Sequence, residues 1–229
     1  MSENIHNTFA GTAVQRPWDA RLARWLVAPL KTTRVSPNQL TSLRLLVGLA
    51  AAAAFVPGTY LWSNVAALLL VVSNFLDHTD GELARMTGKT SRFGHLYDLA
   101  SDALVTIALF VAIGAGVSAR ATTPDAGFDC PPALIGALAG IAIALIFYLR
   151  MRIENLAGKS ATRQASLGGF ETEDILYLLP LVTLCNALVP FLKASMVCAP
   201  LYAVWVAIEY RRAVRRPSLD REPTSEVVR

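Results

Sequence analysis

Four aspartates stand out in a largely apolar chain because of their spacing. Asp77 and Asp80 lie in Asn74-Phe75-Leu76-Asp77-His78-Thr79-Asp80-Gly81-Glu82-Leu83-Ala84-Arg85; Asp98 and Asp102 lie in Gly94-His95-Leu96-Tyr97-Asp98-Leu99-Ala100-Ser101-Asp102. Separations of i, i+3 and i, i+4 place each pair on one face of its own helix. Two adjacent helices would then aim four carboxylates at one spot. Like charges crowded in a low-dielectric setting repel, and shared divalent cations resolve the conflict. An all-oxygen donor set suits Mg²⁺ or Mn²⁺, and four carboxylates suffice for two ions. A two-metal centre activates a nucleophile and shields a departing phosphate, so phosphoryl transfer is the chemistry this spacing serves.

The neighbouring residues fit the same purpose. Gly81 and Ala84 leave room for a bulky ligand against the helix, and Gly94 permits close approach where the next helix begins. Arg85 offers a forked donor for a diphosphate. The bland alternative makes these acids solvated residues of a loop. That suits Glu82, but Asp98 and Asp102 run straight into a long apolar segment, and acids at membrane depth are functional by default. His78 and His95 flank the pattern as supporting or surface residues rather than ligands.

The elements that must position these side chains follow from composition. The chain has 229 residues, 54% hydrophobic and only 17% charged, with the apolar residues in long runs rather than short periodic patches. A bilayer is the expected solvent. Six apolar segments, at about 39–56, 61–76, 94–117, 133–149, 174–190 and 194–209, are each long enough to span it. Pro57-Gly58 and the stretch around Pro190 mark tight helical hairpins. Residues 1–15 are expected to be disordered. Residues 17–30 read as an interfacial helix, with Trp18, Leu22, Trp25 and Leu26 on one side and Arg21 and Arg24 on another. No cleavable signal peptide is expected. The predicted fold is therefore all-α and integral to the membrane, six spans plus a surface helix over 16–210, followed by a basic tail at 211–229.

Charge sets the orientation. Of the 21 Lys and Arg residues, all but Arg120 and Lys193 fall on the side that holds both termini and the 77–93 segment, which is thereby predicted to be cytoplasmic. Arg44 counts here as one of the N-terminal topology charges. Because the basic residues alternate with apolar runs, nucleic acid is not an expected partner. Arg150, Arg152, Lys159 and Arg163 serve equally well as topology anchors or as a site for a phosphorylated acceptor or lipid headgroup, whereas Arg211, Arg212, Arg215 and Arg216 read as surface charge. Cys130, Cys185 and Cys198 have no paired spacing and are expected to be inert packing residues.

The acidic pattern resembles the signature of the CDP-alcohol phosphotransferases, D-x-x-D-G-x-x-A-R followed by G-x-x-x-D-x-x-x-D. Every fixed position is matched, by Asp77, Asp80, Gly81, Ala84, Arg85, Gly94, Asp98 and Asp102, and Pro37-Asn38-Gln39-Leu40-Thr41 resembles the family's Pro-Asn-x-x-Thr stretch. The resemblance implies that Asp77, Asp80 and Asp98 hold two Mg²⁺ or Mn²⁺ ions, with Asp102 sharing the second and acting as general base. It also implies that Gly81 and Ala84 line a cytidine pocket, that Arg85 meets the diphosphate, and that a hydroxyl acceptor displaces CMP from a CDP-alcohol at the inner membrane. Similar proteins are homodimers. Asn38 and Thr41 suit a nucleotide or a helix cap equally. Members taking inositol phosphate place an arginine near the start of the fifth span, where this chain has Glu171-Thr172-Glu173-Asp174. The donor is expected to be CDP-diacylglycerol with a polar alcohol acceptor; the alternatives are a soluble CDP-alcohol with a lipid acceptor, as in ethanolamine or choline phosphotransferases, and a divalent-cation carrier.

Overall fold

The computed structural model describes residues 29, 33, 35–88, 91–120, 130–157 and 177–215. They form helices α1 (Pro37–Phe55), α2 (Tyr60–Thr87), α3 (Arg92–Arg120), α4 (Pro132–Ala157), α5 (Leu179–Leu184) and α6 (Leu188–Arg215), with no strand among the described residues. Five of them, all except α5, are long and apolar enough to cross a membrane. The chain is an all-α, multi-pass membrane protein. The expected disordered tail, nearly all of the interfacial helix at 17–30, Lys159, Arg163 and the acidic run at 171–174 lie outside the described residues. So does the start of the expected fifth span, which is described only from residue 177.

α1 begins with a capping box. The Ser36 hydroxyl accepts the Gln39 N–H at 3.3 Å, the Gln39 side chain accepts the Ser36 N–H at 2.9 Å, and Pro37 takes the first helical position, where no N–H is needed. The cap is thus Ser36, and Asn38 and Thr41 are left to other work. Gly58, at φ 67°, closes the turn into α2. That conformation favours glycine, and a Cβ there would meet the Gly116 carbonyl oxygen at 2.2 Å.

α2 is 28 residues long, about 42 Å at 1.5 Å per residue, against a hydrocarbon core of about 30 Å. It continues beyond the expected end at residue 76, carrying the whole first half of the acidic pattern as helix until Gly88 turns left-handed at φ 66°. The last helix also differs from expectation. Pro190 does not separate the final two segments; it lies in the first turn of α6, where a missing N–H is harmless, and the break falls at Asn186, with φ 54°. α6 then runs through Arg211, Arg212 and Arg215, so these start the basic tail as helix.

α1 packs on both α2 and α3, α3 packs on α4, and α4 packs on α6. One core gathers Phe55, Ala66, Leu70, Leu109, Ile113 and Leu192; a second joins α4 and α6 through Ile146, Leu149, Ala203 and Val206. α3 and α4 touch through glycines: a Cβ at Gly136 would come 2.0 Å from the Phe110 carbonyl oxygen, and one at Gly114 would come 2.2 Å from that of Pro132. Small residues at such crossings let backbones approach where lipid provides no hydrophobic drive. Leu46, Leu61, Leu68, Leu138 and Leu201 point outward, as side chains facing hydrocarbon do. Cys130, Cys185 and Cys198 are exposed, not packed in a core. Cys185 sits on the turn between α5 and α6, and Cys198 points outward from α6.

Candidate metal centre

The acids lie toward one end of two helices and meet an arginine from a third. Arg44 is in the third turn of α1, Asp77 and Asp80 are in the C-terminal half of α2, and Asp98 and Asp102 follow the first turn of α3. Asp77, Asp98 and Asp102 each present an oxygen, and these all lie within 4.8 Å of one another. Asp80 stands apart from this trio. It is 5% exposed, and its Oδ2 accepts the Thr41 hydroxyl at 2.7 Å. Three of the four expected ligands converge and the fourth sits beside them, oriented by α1.

The two acidic helices are not neighbours in the expected sense. Among the described residues the backbones of α2 and α3 do not approach each other closely; α1 stands against both. The first turn of α1 is fitted closely to the start of α3. A Cβ at Gly94 would lie 3.0 Å from Asn38 Oδ1, and the hydroxyls of Ser42 and Tyr97 are 2.9 Å apart. Ser73 on α2 donates to the Arg44 carbonyl oxygen at 3.0 Å. The site is a junction of three helices, with α1 as its third wall.

Arg44 fills the middle of that junction. Its Nη1 lies 2.7 Å from Asp77 Oδ1 and also bonds Asp102 Oδ1, while its Nη2 lies 2.9 Å from Asp98 Oδ1 and donates to the Asp98 carbonyl oxygen at 3.2 Å. Its Nε is 4.0 Å from Asp80 Oδ2 and makes no hydrogen bond. From the sequence Arg44 reads as a topology charge, and this role is not apparent there. Its position inside the first apolar run was the available signal, since an ionisable residue at membrane depth needs a partner.

The donor set fits a hard divalent ion. The ligands are carboxylate oxygens throughout, they approach one another closely enough to share an ion, and they already gather round a positive group, the guanidinium. Beside them, a Cβ at Gly81 would meet only the end of the flexible Arg85 side chain, at 3.5 Å, so a methyl group would fit there without strain. Ala84 is partly buried, and the Arg85 side chain is 65% exposed with Nη2 3.3 Å from Glu82 Oε1. Glu82 itself is 5% exposed, which corrects the expectation of a solvated loop residue: α2 continues past Asp80 and turns Glu82 inward. Neither histidine joins the metal-capable group. His78 pairs its ring nitrogen with the Asn74 carbonyl oxygen at 3.0 Å, and His95 is exposed.

Arg150 lies between α4 and α6, bonded to the Tyr202 hydroxyl, with its guanidinium carbon 5.4 Å from the centre of that ring. This ties Arg150 to a partner helix, whereas Arg152 is exposed. At the opposite end of the bundle, Arg120 joins α3 to the α5–α6 turn through Asn186 Oδ1 at 2.6 Å and to Ser63 Oγ at 3.3 Å.

An archaetidylinositol phosphate synthase from Pyrococcus horikoshii is 39% identical over 88 residues, 38% of this chain and 45% of that protein. Human cholinephosphotransferase 1 is 34% identical over 105 residues, 42% of this chain and 25% of that protein. The matches thus span less than half the length of these relatives. The solved structure of Mycobacterium tuberculosis phosphatidylinositol phosphate synthase with CDP-DAG bound shares the fold, with a TM-score of 0.56, 20% identity, and coverage of 90% of this chain and 98% of that one. The profile of the CDP-alcohol phosphatidyltransferases matches residues 34–208. Matched over most of its length and carrying the acidic pattern on α2 and α3, the chain belongs to the CDP-alcohol phosphatidyltransferase family.

Proposed function

We propose that this protein transfers a phosphatidyl group from a CDP-alcohol, CDP-diacylglycerol in the first instance, to a hydroxyl acceptor and releases CMP. The observation that carries the reading is the gathering of Asp77, Asp98 and Asp102 within 4.8 Å of one another, beside the small residue Gly81 and toward one end of membrane-spanning helices. A permeation site would place its acids near the middle of the bilayer, so their position favours an enzyme over a divalent-cation carrier.

Asp77, Asp80 and Asp98 would hold the metal, two Mg²⁺ or Mn²⁺ ions, with Asp102 shared. Bound there, the ions offset the charge that collects on the phosphates as the transfer proceeds. Asp102 takes the proton from the acceptor hydroxyl. The acceptor oxygen then bonds to the β-phosphorus of the donor as the bond from that phosphorus to the bridging oxygen breaks, and CMP departs with the electron pair. Arg85, exposed and long enough to swing away from Glu82, donates to the diphosphate. Gly81 and Ala84 leave the helix surface bare for the cytidine. Thr41 holds Asp80 in place by its hydrogen bond.

The same reading takes the chain as six spans with an N-terminal interfacial helix, both termini cytoplasmic, in the inner membrane, and as a homodimer. The test is an acceptor panel. Purified protein with Mn²⁺ and CDP-diacylglycerol is offered glycerol phosphate, serine, inositol phosphate and inositol, and products are read by mass spectrometry. A new phosphodiester lipid with one of them supports the proposal. Product only from CDP-choline or CDP-ethanolamine with diacylglycerol would reverse donor and acceptor, the direction that the cholinephosphotransferase relatives suggest. No product from any pair would refute it.

A further inference from the structure

Arg44 stands where a metal would have to stand. Its two terminal nitrogens bond Asp77, Asp98 and Asp102, the same three residues whose oxygens lie close enough to share an ion. A Mg²⁺ ion on these carboxylates needs contacts of about 2.0–2.1 Å. A guanidinium in hydrogen-bond contact with those oxygens fills the volume such an ion requires, so the two cations exclude one another.

The balance of charge shows why the arginine is there and why it can be exchanged. The Arg44 side chain is 5% exposed, so water cannot solvate its charge and the carboxylates must. Conversely, acids crowded this closely need a positive group to remain together. One guanidinium facing Asp77, Asp80, Asp98 and Asp102 supplies a single positive charge and leaves the group undercompensated, whereas two divalent ions would match four carboxylates. The fit of the arginine is also incomplete. Its Nε is buried without a hydrogen bond, with Asp80 Oδ2 4.0 Å away, beyond hydrogen-bond reach. The backbone beneath it is fixed by Ser73, so the side chain can move while α1 stays seated.

We propose that Arg44 is a built-in counter-cation that competes with divalent metal for Asp77, Asp98 and Asp102. In the metal-free protein it ties α1 to α2 and α3 across the gap between the two acidic helices; metal binding displaces its guanidinium. The apparent metal affinity of the wild type is therefore lowered by the fraction of molecules in which the arginine holds the site. The proposal rests on the reading of this cluster as a metal centre.

The experiment measures metal binding, not turnover. Detergent-solubilised wild type, Arg44→Met and Arg44→Lys are titrated with Mn²⁺, and free ion is followed by electron paramagnetic resonance. Thermal unfolding is recorded with chelator and with Mn²⁺. Arg44→Met is expected to bind Mn²⁺ about tenfold more tightly, as follows if the arginine holds the cluster in roughly nine of ten metal-free molecules. It should melt below wild type in chelator and gain more from Mn²⁺. Arg44→Lys keeps a positive charge but cannot fork between three carboxylates, and it too should bind Mn²⁺ more tightly than wild type, so the idea stays testable if Arg44→Met does not fold. Affinities equal to or weaker than wild type in the variants that fold would overturn the competition while leaving the metal centre standing. Failure of all three proteins to bind Mn²⁺ would overturn both.

Discussion

A nearly buried carboxylate needs a donor, and Asp80 has one in the Thr41 hydroxyl at 2.7 Å. Hydrogen bonds of this kind fix the orientation of a ligand and typically carry about 10–100-fold in metal affinity or activity. Thr41→Val, which keeps the shape and deletes the hydroxyl, is expected to lower Mn²⁺-dependent turnover by that order, and Thr41→Ser to restore most of it. Asp102→Asn should abolish turnover while nucleotide binding, followed by calorimetry with a CDP-alcohol, persists; retained turnover would contradict its assignment as base. At this scale much was legible in the sequence. The aspartates announce themselves as acids at fixed spacing against apolar helices, and three of the four converge. Arg44 escaped because a charge count treats every arginine near a span as topology. Nothing in its local sequence says that the side chain points across to two other helices.

The helices explain how carboxylates far apart in the chain share one place. Among the described residues the backbones of α2 and α3 do not approach each other closely, and α1 packs against both. Spacing put Asp98 and Asp102 on one face of α3, but it does not name the neighbour of a helix, because the hydrophobic pattern of a span facing lipid is nearly as apolar as one facing protein. Exposed leucines such as Leu61 and Leu68 share α2 with buried Leu70. Element ends were legible where a turn residue marks them, as at Gly58, and misplaced where a proline lies harmlessly in a first turn, as at Pro190. Two glycines allow a direct contrast. A Cβ at Gly136 would lie 2.0 Å from a backbone oxygen of α3, so Gly136→Ala is expected to cost about 1–3 kcal/mol, the usual range for overpacking, seen as a lower melting temperature in detergent. At Gly81 a Cβ would meet only the end of the Arg85 side chain, at 3.5 Å, an ordinary contact. Gly81→Ala should leave melting unchanged and weaken CDP-alcohol binding, because the added methyl occupies the proposed cytidine surface.

For the whole molecule, orientation and chemistry are one question: the acidic junction must face the compartment that supplies nucleotide. Cys130 precedes α4 and Cys185 lies on the α5–α6 turn, both exposed and both at the end of the bundle opposite the aspartates. A membrane-impermeant maleimide added to intact cells is expected to label Cys130 and Cys185 but not Cys198, which points outward from within α6. Labelling of the first two only after permeabilisation would invert the topology. The asymmetry of Lys and Arg is what predicts this orientation from the sequence. The number of spans was readable only in part, because apolar runs of similar strength yield five long helices and one short described piece, α5.

The central claim is that acids from two helices, assembled against a third, hold divalent ions that make CMP a leaving group. The most direct measurement is CMP released from CDP-diacylglycerol by purified protein, with Mn²⁺, with chelator, and with Mn²⁺ restored. Release should require an acceptor, stop on chelation and return with the ion. Turnover undiminished in chelator, or tight Mn²⁺ binding with no CMP formed from any CDP-alcohol, would contradict it.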